Sequence, residues 1–142
     1  CEIVKETKEL VIINDSKATS PTATLQAFEY IKTQFKEFEP LWIAGGKLTM
    51  DDYKVINNVD IKKVKTYLFG ENKEDLSKIL NKAIFDIQLF PSLEEIIQAI
   101  YKENLKKKII LFSPSSPSFD QYKSFEERGK AFKELINLYD KT

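Results

Sequence analysis

Histidine is absent from this chain, and cysteine, arginine and tryptophan occur once each. Without an imidazole, Ser–His–Asp and Cys–His nucleophilic machinery, histidine metal sites and imidazole proton shuttles are excluded within these residues. Cys1, the sole cysteine, has no intrachain disulfide partner and no companion thiolate for zinc. A reducing cytoplasm is the expected compartment. Arg128 is the only arginine, so the bidentate fork that grips phosphates and base edges is nearly missing. Basic and acidic side chains balance at 22 each, which leaves no net field to gather nucleic acid or an anionic membrane. No apolar run approaches the roughly 18 residues needed to cross a bilayer, and no secretory signal opens the chain. Neither a nucleic-acid nor a membrane partner is expected. Beginning at Cys1 without Met, the sequence reads as a fragment of a longer protein.

What is present suits an ordinary globular chain. The 142 residues, 42% apolar and 31% charged, suffice for one domain (1–142) with a sizeable core. Glu2–Glu6 and Glu9–Ile13 read as two short strands around a tight turn at Thr7-Lys8. A helix follows, with Ser20 as N-cap, Pro21 at its first position and Leu25, Phe28, Ile31 and Phe35 as its apolar stripe. Strands are expected at Pro40–Ala44, Lys65–Gly70, Ala83–Leu89 and Lys108–Phe112. Helices are expected at Asp51–Asn57, after Asn72 or Lys73, at Leu93–Lys102 behind a Ser92/Glu95 capping box, and through Phe125 to Tyr139. A hairpin followed by strand–helix alternation predicts an α/β, Rossmann-like fold: a mostly parallel sheet with helices on both faces and an N-terminal β-hairpin.

Three polar loops leave strand ends: Asn14 to Ser20, Gly45 to Thr49 and Ser113 to Phe119. In a doubly wound sheet all three open on the carboxyl edge, where such sheets place ligands. Pro114 and Pro117 stiffen the third loop. Its four serines have no histidine and no G-x-S-x-G elbow, so carboxylate binding through hydroxyl and amide groups is the expected use. Lys17, between Ser16 and Thr19, is either a cation for a phosphate or carboxylate at a helix start or a solvated side chain. Asp15 takes a ribose hydroxyl or closes an Asx-turn. Neither G-x-x-x-x-G-K-[ST] nor G-x-G-x-x-G occurs. The Gly45-Gly46 pair marks a turn or a close backbone approach. Arg128, beside Glu126 and Glu127, is expected to be a structural ion-pair partner, and Trp42 is expected in the core.

I-N-D-S-K-A-T (Ile13 to Thr19), I-A-G-G-K (Ile43 to Lys47) and L-F-S-P-S-S-P-S-F-D-Q-Y-K-S-F-E-E-R-G (Leu111 to Gly129) together resemble the C-terminal domain of the Mur ligases. The likeness is greatest to the D-glutamate-adding branch and runs along essentially the whole chain in order. The resemblance implies an amino-acid-binding domain of a multidomain, ATP-dependent ligase of peptidoglycan synthesis. That domain folds over a central ATPase domain and presents D-glutamate to an acyl-phosphate of UDP-N-acetylmuramoyl-L-alanine. It further implies that Asp15 holds the nucleotide ribose, and that Lys17 meets the γ-phosphate and the incoming glutamate as the catalytic lysine. By the same resemblance Thr19, Ser118, Phe119 and Phe125 would surround the glutamate. Lys47 stands in for a lysine that the family often carries where Thr49 falls here. ATP and Mg²⁺ are held mainly by the central domain, no metal ligand is expected in this chain, and the fragment alone is expected to be an inactive monomer. Two alternatives are another Mur or folylpolyglutamate synthase-like C-terminal domain, and a non-catalytic α/β small-ligand-binding module.

Overall fold

A computed structural model describes residues 1–71, 73–118 and 122–140. Its sheet is built from β1 (Glu2–Glu6), β2 (Leu10–Asn14), β3 (Glu39–Gly45), β4 (Val64–Phe69), β5 (Phe85–Leu89) and β6 (Lys108–Phe112). Their spatial order is β1-β2-β6-β3-β4-β5. β1 and β2 pair antiparallel, and every other neighbouring pair is parallel. The hairpin turn is held by Thr7, whose hydroxyl accepts from the Leu10 amide at 3.0 Å.

The central strands are near-continuous apolar runs because both faces of the sheet are covered. Their two-residue period deals side chains alternately into two cores. Val11, Ile13, Trp42, Ala44, Ile109 and Leu111 enter one. Leu10, Ile12, Leu41, Ile43, Ile110 and Phe112 enter the other. Helices α1 (Pro21–Gln34) and α2 (Lys73–Ile79) cover the first core, together with a 3₁₀ helix, Tyr53–Asn58. Helices α3 (Leu93–Ile100) and α4 (Phe125–Tyr139) cover the second. The expected α/β sheet with helices on both faces and an N-terminal hairpin is therefore present.

Ser20 caps α1 by accepting from the Ala23 amide with Pro21 in the first turn, and Ser92 caps α3 by accepting from the Glu95 amide. Some boundaries differ from expectation for local reasons. The segment after Asp51 winds as a 3₁₀ helix, since Val55, Ile56, Asn57 and Asn58 are weak α-helix formers and Asp52 caps it tightly. Ala83 and Ile84 belong to a turn, because the Ile84 and Phe85 amides both donate to the Asn81 carbonyl. α3 stops at Ile100, ahead of Lys102. Asn72, suggested as a start for α2, lies outside the described residues, as do Phe119, Asp120 and Gln121 of the third loop.

The topology matters most at one place. The last strand, β6, inserts between β2 and β3. The three polar loops consequently leave three adjacent parallel strands on one sheet edge.

Candidate functional site

The three loops are sewn together by backbone bonds that extend the strand ladders. Asp15 donates its amide to the Phe112 carbonyl at 2.7 Å, and Ser113 donates to Ile43 at 3.2 Å. Gly45 donates to Pro114 at 3.1 Å, and Lys47 donates to Pro117 at 3.3 Å. Gly45 and Gly46 make this possible. Their φ values are +139° and +141°, and a Cβ would stand 1.8 Å from the Phe69 carbonyl oxygen at Gly45 and 2.5 Å from the Pro117 oxygen at Gly46. The close approach is to the protein's own backbone.

Most polar side chains at this edge are spent on structure. The buried Ser113 hydroxyl donates to Asp15 Oδ2 at 2.9 Å and lies 2.9 Å from Thr24 Oγ1. Its carbonyl accepts from Trp42 Nε1 at 2.8 Å, which fixes the core tryptophan under the loop. Ser16 donates to the Phe125 carbonyl at 2.6 Å. Arg128 is 1% exposed. Its guanidinium donates to the Ser116 carbonyl at 2.9 Å, the Ser16 carbonyl at 2.8 Å and the Ser16 hydroxyl at 3.3 Å. The rigid fork of Arg128 clamps the first polar loop to the third through α4. Gly129 completes the junction, since a Cβ there would meet the Asn14 side chain at 3.0 Å and Ser16 Cβ at 3.1 Å. Ser115, fully buried at φ +65°, leaves its hydroxyl without a hydrogen bond among the described residues.

A second group of side chains carries no such work. Among the described residues, no hydrogen bond or ion pair occupies the side chains of Lys17, Thr19, Lys47 or Ser118. Lys17 and Lys47 are exposed, Thr19 is half-buried and Ser118 is 2% exposed. Phe125 opens α4 with 40% of its surface in solvent, unusual for an aromatic at a helix start. Lys17 stands on a ridge between two clefts. One, of about 370 Å³, lies against α4 and is lined by Asn14, Ser16, Lys17, Phe125 and Lys130. The other, of about 430 Å³, lies against α1 and is lined by Asp15, Lys17, Ala23, Ala27 and Tyr30.

The structure thus brings Lys17 together with Phe125 on one side and with Asp15 on the other. Lys47 and Ser118 sit at the neighbouring loop junction and line neither cleft, and Thr19 also lies outside both linings. Burial pushes the Asp15 carboxyl above its ordinary value, against the opposing Ser113 hydrogen bond and the charge of Lys17. Among the described residues no group of three or more His, Cys, Asp or Glu side chains gathers to hold a metal ion. Among the described residues of the three loops Asp15 is the single carboxylate, and it is already engaged by Ser113. The described residues of these loops form no oxygen cage of their own for a Mg²⁺ ion, which more often binds one or two carboxylates together with substrate phosphates.

Arg128, Gly129 and Lys130 were not legible as site residues from local pattern. Arg128 carried one usable signal: it is the only arginine where every other basic residue is lysine. Such a residue marks a position needing a planar fork.

Comparison with known proteins identifies the family. The family described as "Mur ligase, glutamate ligase domain" matches residues 1–116. The "UDP-N-acetylmuramoylalanine--D-glutamate ligase" of Prochlorococcus marinus (strain MIT 9515) is 40% identical over 141 residues, covering 96% of this chain and 28% of its own length. The like-named protein of Aquifex aeolicus (strain VF5) is 36% identical over 129 residues, covering 90% of this chain and 30% of its own. The chain spans less than a third of these relatives. Among solved structures, the murein peptide ligase of Psychrobacter arcticus superposes with a TM-score of 0.64 at 12% identity, over 97% of this chain and 28% of that one. MurF ligase of Thermotoga maritima superposes with a TM-score of 0.61 at 17% identity, over 96% and 30%. Sequence and fold together place the chain in the Mur ligase family, as its glutamate ligase domain.

Proposed function

We propose that this chain is the C-terminal, amino-acid-binding domain of an ATP-dependent ligase that adds D-glutamate to UDP-N-acetylmuramoyl-L-alanine. The observation that carries the reading is the division of labour at the carboxyl edge. Ser16, Ser113 and Arg128 are consumed in holding the loops and Asp15 gives one carboxylate oxygen to Ser113, while among the described residues Lys17, Thr19, Lys47 and Ser118 keep free polar groups at the same edge. The relatives' printed name supplies the substrates.

In this reading the nucleotide sugar's carboxylate takes the γ-phosphoryl group of ATP, releasing ADP. The D-glutamate amine then attacks the acyl carbon, and phosphate leaves as the amide forms. Lys17 places an ammonium group where negative charge gathers in both steps, and so lowers both barriers. On its α1 side, Asp15 receives the ribose. On its α4 side, Phe125 packs along the glutamate, and the reading also assigns Thr19, Ser118, Phe119 and Lys47 to glutamate binding. Mg²⁺ and most of the ATP are held by residues outside this chain, so residues 1–142 alone are a binding domain without ligase turnover. The complete enzyme works as a cytoplasmic monomer and has no nucleic-acid or membrane partner.

The direct test supplies the full-length protein with ATP and UDP-N-acetylmuramoyl-L-alanine, together with a panel of D- and L-amino acids. Adduct formation and ADP release with D-glutamate are expected. Preference for another amino acid, or for a folate acceptor, would assign the chain to a different ligase. ATP-independent ligand binding without product would mark it as a binding module.

A further inference from the structure

The α4 cleft holds more positive charge than Lys17 alone supplies. Lys130 and Lys133 line it beside Lys17 and Phe125. Phe125, Gly129 and Lys133 recur at helical spacing, so one face of α4 forms the wall, and Lys130 joins it. Two carboxylates also border the space, Glu2 and Glu126. Glu2 is already engaged: its carboxylate accepts from the Asn14 amide at 3.0 Å and pairs with Lys133 at 3.2 Å. Lys130 is exposed and, among the described residues, has no ion-pair partner, as is true of Lys17.

Two unpaired ammonium groups therefore share one cleft of about 370 Å³ with an exposed aromatic ring. Gly129 also lines that cleft, and its lack of a Cβ lets α4 approach Asn14 and Ser16. The chemistry that suits two ammonium groups and an aromatic ring in one cleft is a dianion that also carries a short apolar stretch. The positive end of the α4 dipole adds to the same field.

We propose that Lys130 is a further specificity-determining residue, binding one carboxylate of the acidic amino acid while Lys17 serves the reacting end. This rests on the ligase reading above. It makes selection of a dicarboxylate over an uncharged amide analogue a property of α4 as well as of the loops.

The test compares the full-length enzyme with its Lys130→Gln and Lys130→Arg variants. Loss of one charge-assisted contact is expected to raise KM for D-glutamate about tenfold in Lys130→Gln, with KM for ATP unchanged and most of the affinity restored in Lys130→Arg. An unchanged KM for D-glutamate overturns the proposal, and so does a rise confined to ATP. If the wild-type enzyme does not use D-glutamate at all, the ligase reading has failed on its own. A second measurement then decides the subsite independently. Glutarate and butyrate are titrated against residues 1–142, with the lysine side-chain resonances as readout. Saturable shifts at Lys17 and Lys130 with glutarate, and weaker ones with butyrate, support the subsite; no shift at Lys130 overturns it.

Discussion

The Ser113 hydroxyl lies 2.9 Å from Asp15 Oδ2, joining the residue that follows β6 to the one that follows β2. The contact holds the two loops in register across the sheet edge. It does so by burying a carboxylate that is only 4% exposed. An acid whose folded pKa is raised binds more protons folded than unfolded, so its contribution to stability is fully present at low pH and falls as pH rises through the raised value.

The Asp15→Asn variant is accordingly expected to unfold at higher denaturant concentration than wild type at neutral pH. That advantage shrinks as pH falls towards the ordinary carboxyl value of 3.8. Activity of the full-length enzyme moves the other way, falling with loss of the ribose contact. Denaturant titrations across pH 3 to 8, on the order of one unit apart, check the first statement. A variant less stable than wild type at neutral pH contradicts it.

Arg128 ties Ser16 to Ser116 from within α4. Arg128→Lys keeps the charge but loses the fork, leaving at least one buried carbonyl unsatisfied. A destabilisation of about 2–4 kcal/mol is expected from urea midpoints. Looser loops should also raise KM for D-glutamate. A Lys variant with wild-type stability would show that the clamp is dispensable.

Gly45→Ala should be more damaging than its size suggests. The new Cβ would sit 1.8 Å from the Phe69 carbonyl oxygen at a φ that side chains rarely adopt. A loss of about 4 kcal/mol or more is expected, readable as failure to accumulate or as a large drop in Tm. Near-wild-type stability would mean the β3 end relaxes away from β4.

Local pattern revealed the sheet and its caps because each depends on near neighbours. The runs at Val11–Ile13 and Ile109–Phe112 could only be covered on both faces, and Ser20-Pro21 and Ser92 with Glu95 announce helix starts within a few residues. The convergence of Asn14–Ser20 with the Ser113 loop followed from alternation and topology rules. What was hidden depends on pairs far apart in sequence. Arg128 meets Ser16 across 112 positions, and its neighbours Glu126 and Glu127 pointed to a structural role without showing this partner. Gly45 is required by the Phe69 carbonyl, a contact no turn signal announces. Which serines are free and which are consumed became visible only with the partners in place: Ser113 and Ser118 look alike in sequence, yet one is bonded to Asp15 and Thr24 and the other has no partner among the described residues.

The central claim is that Lys17, exposed on the ridge between the α1 and α4 clefts, is the group this chain contributes to bond formation. The most direct measurement is the rate of D-glutamate adduct formation by full-length enzyme carrying Lys17→Ala, at saturating ATP and UDP-N-acetylmuramoyl-L-alanine, alongside wild type. Because the side chain has no structural partner among the described residues, folding should be unaffected. The rate is expected to fall by roughly 10²–10³ or more, the loss typical of removing a charge-stabilising group at a reacting centre. A correctly folded Lys17→Ala enzyme that forms product at the wild-type rate would contradict the account.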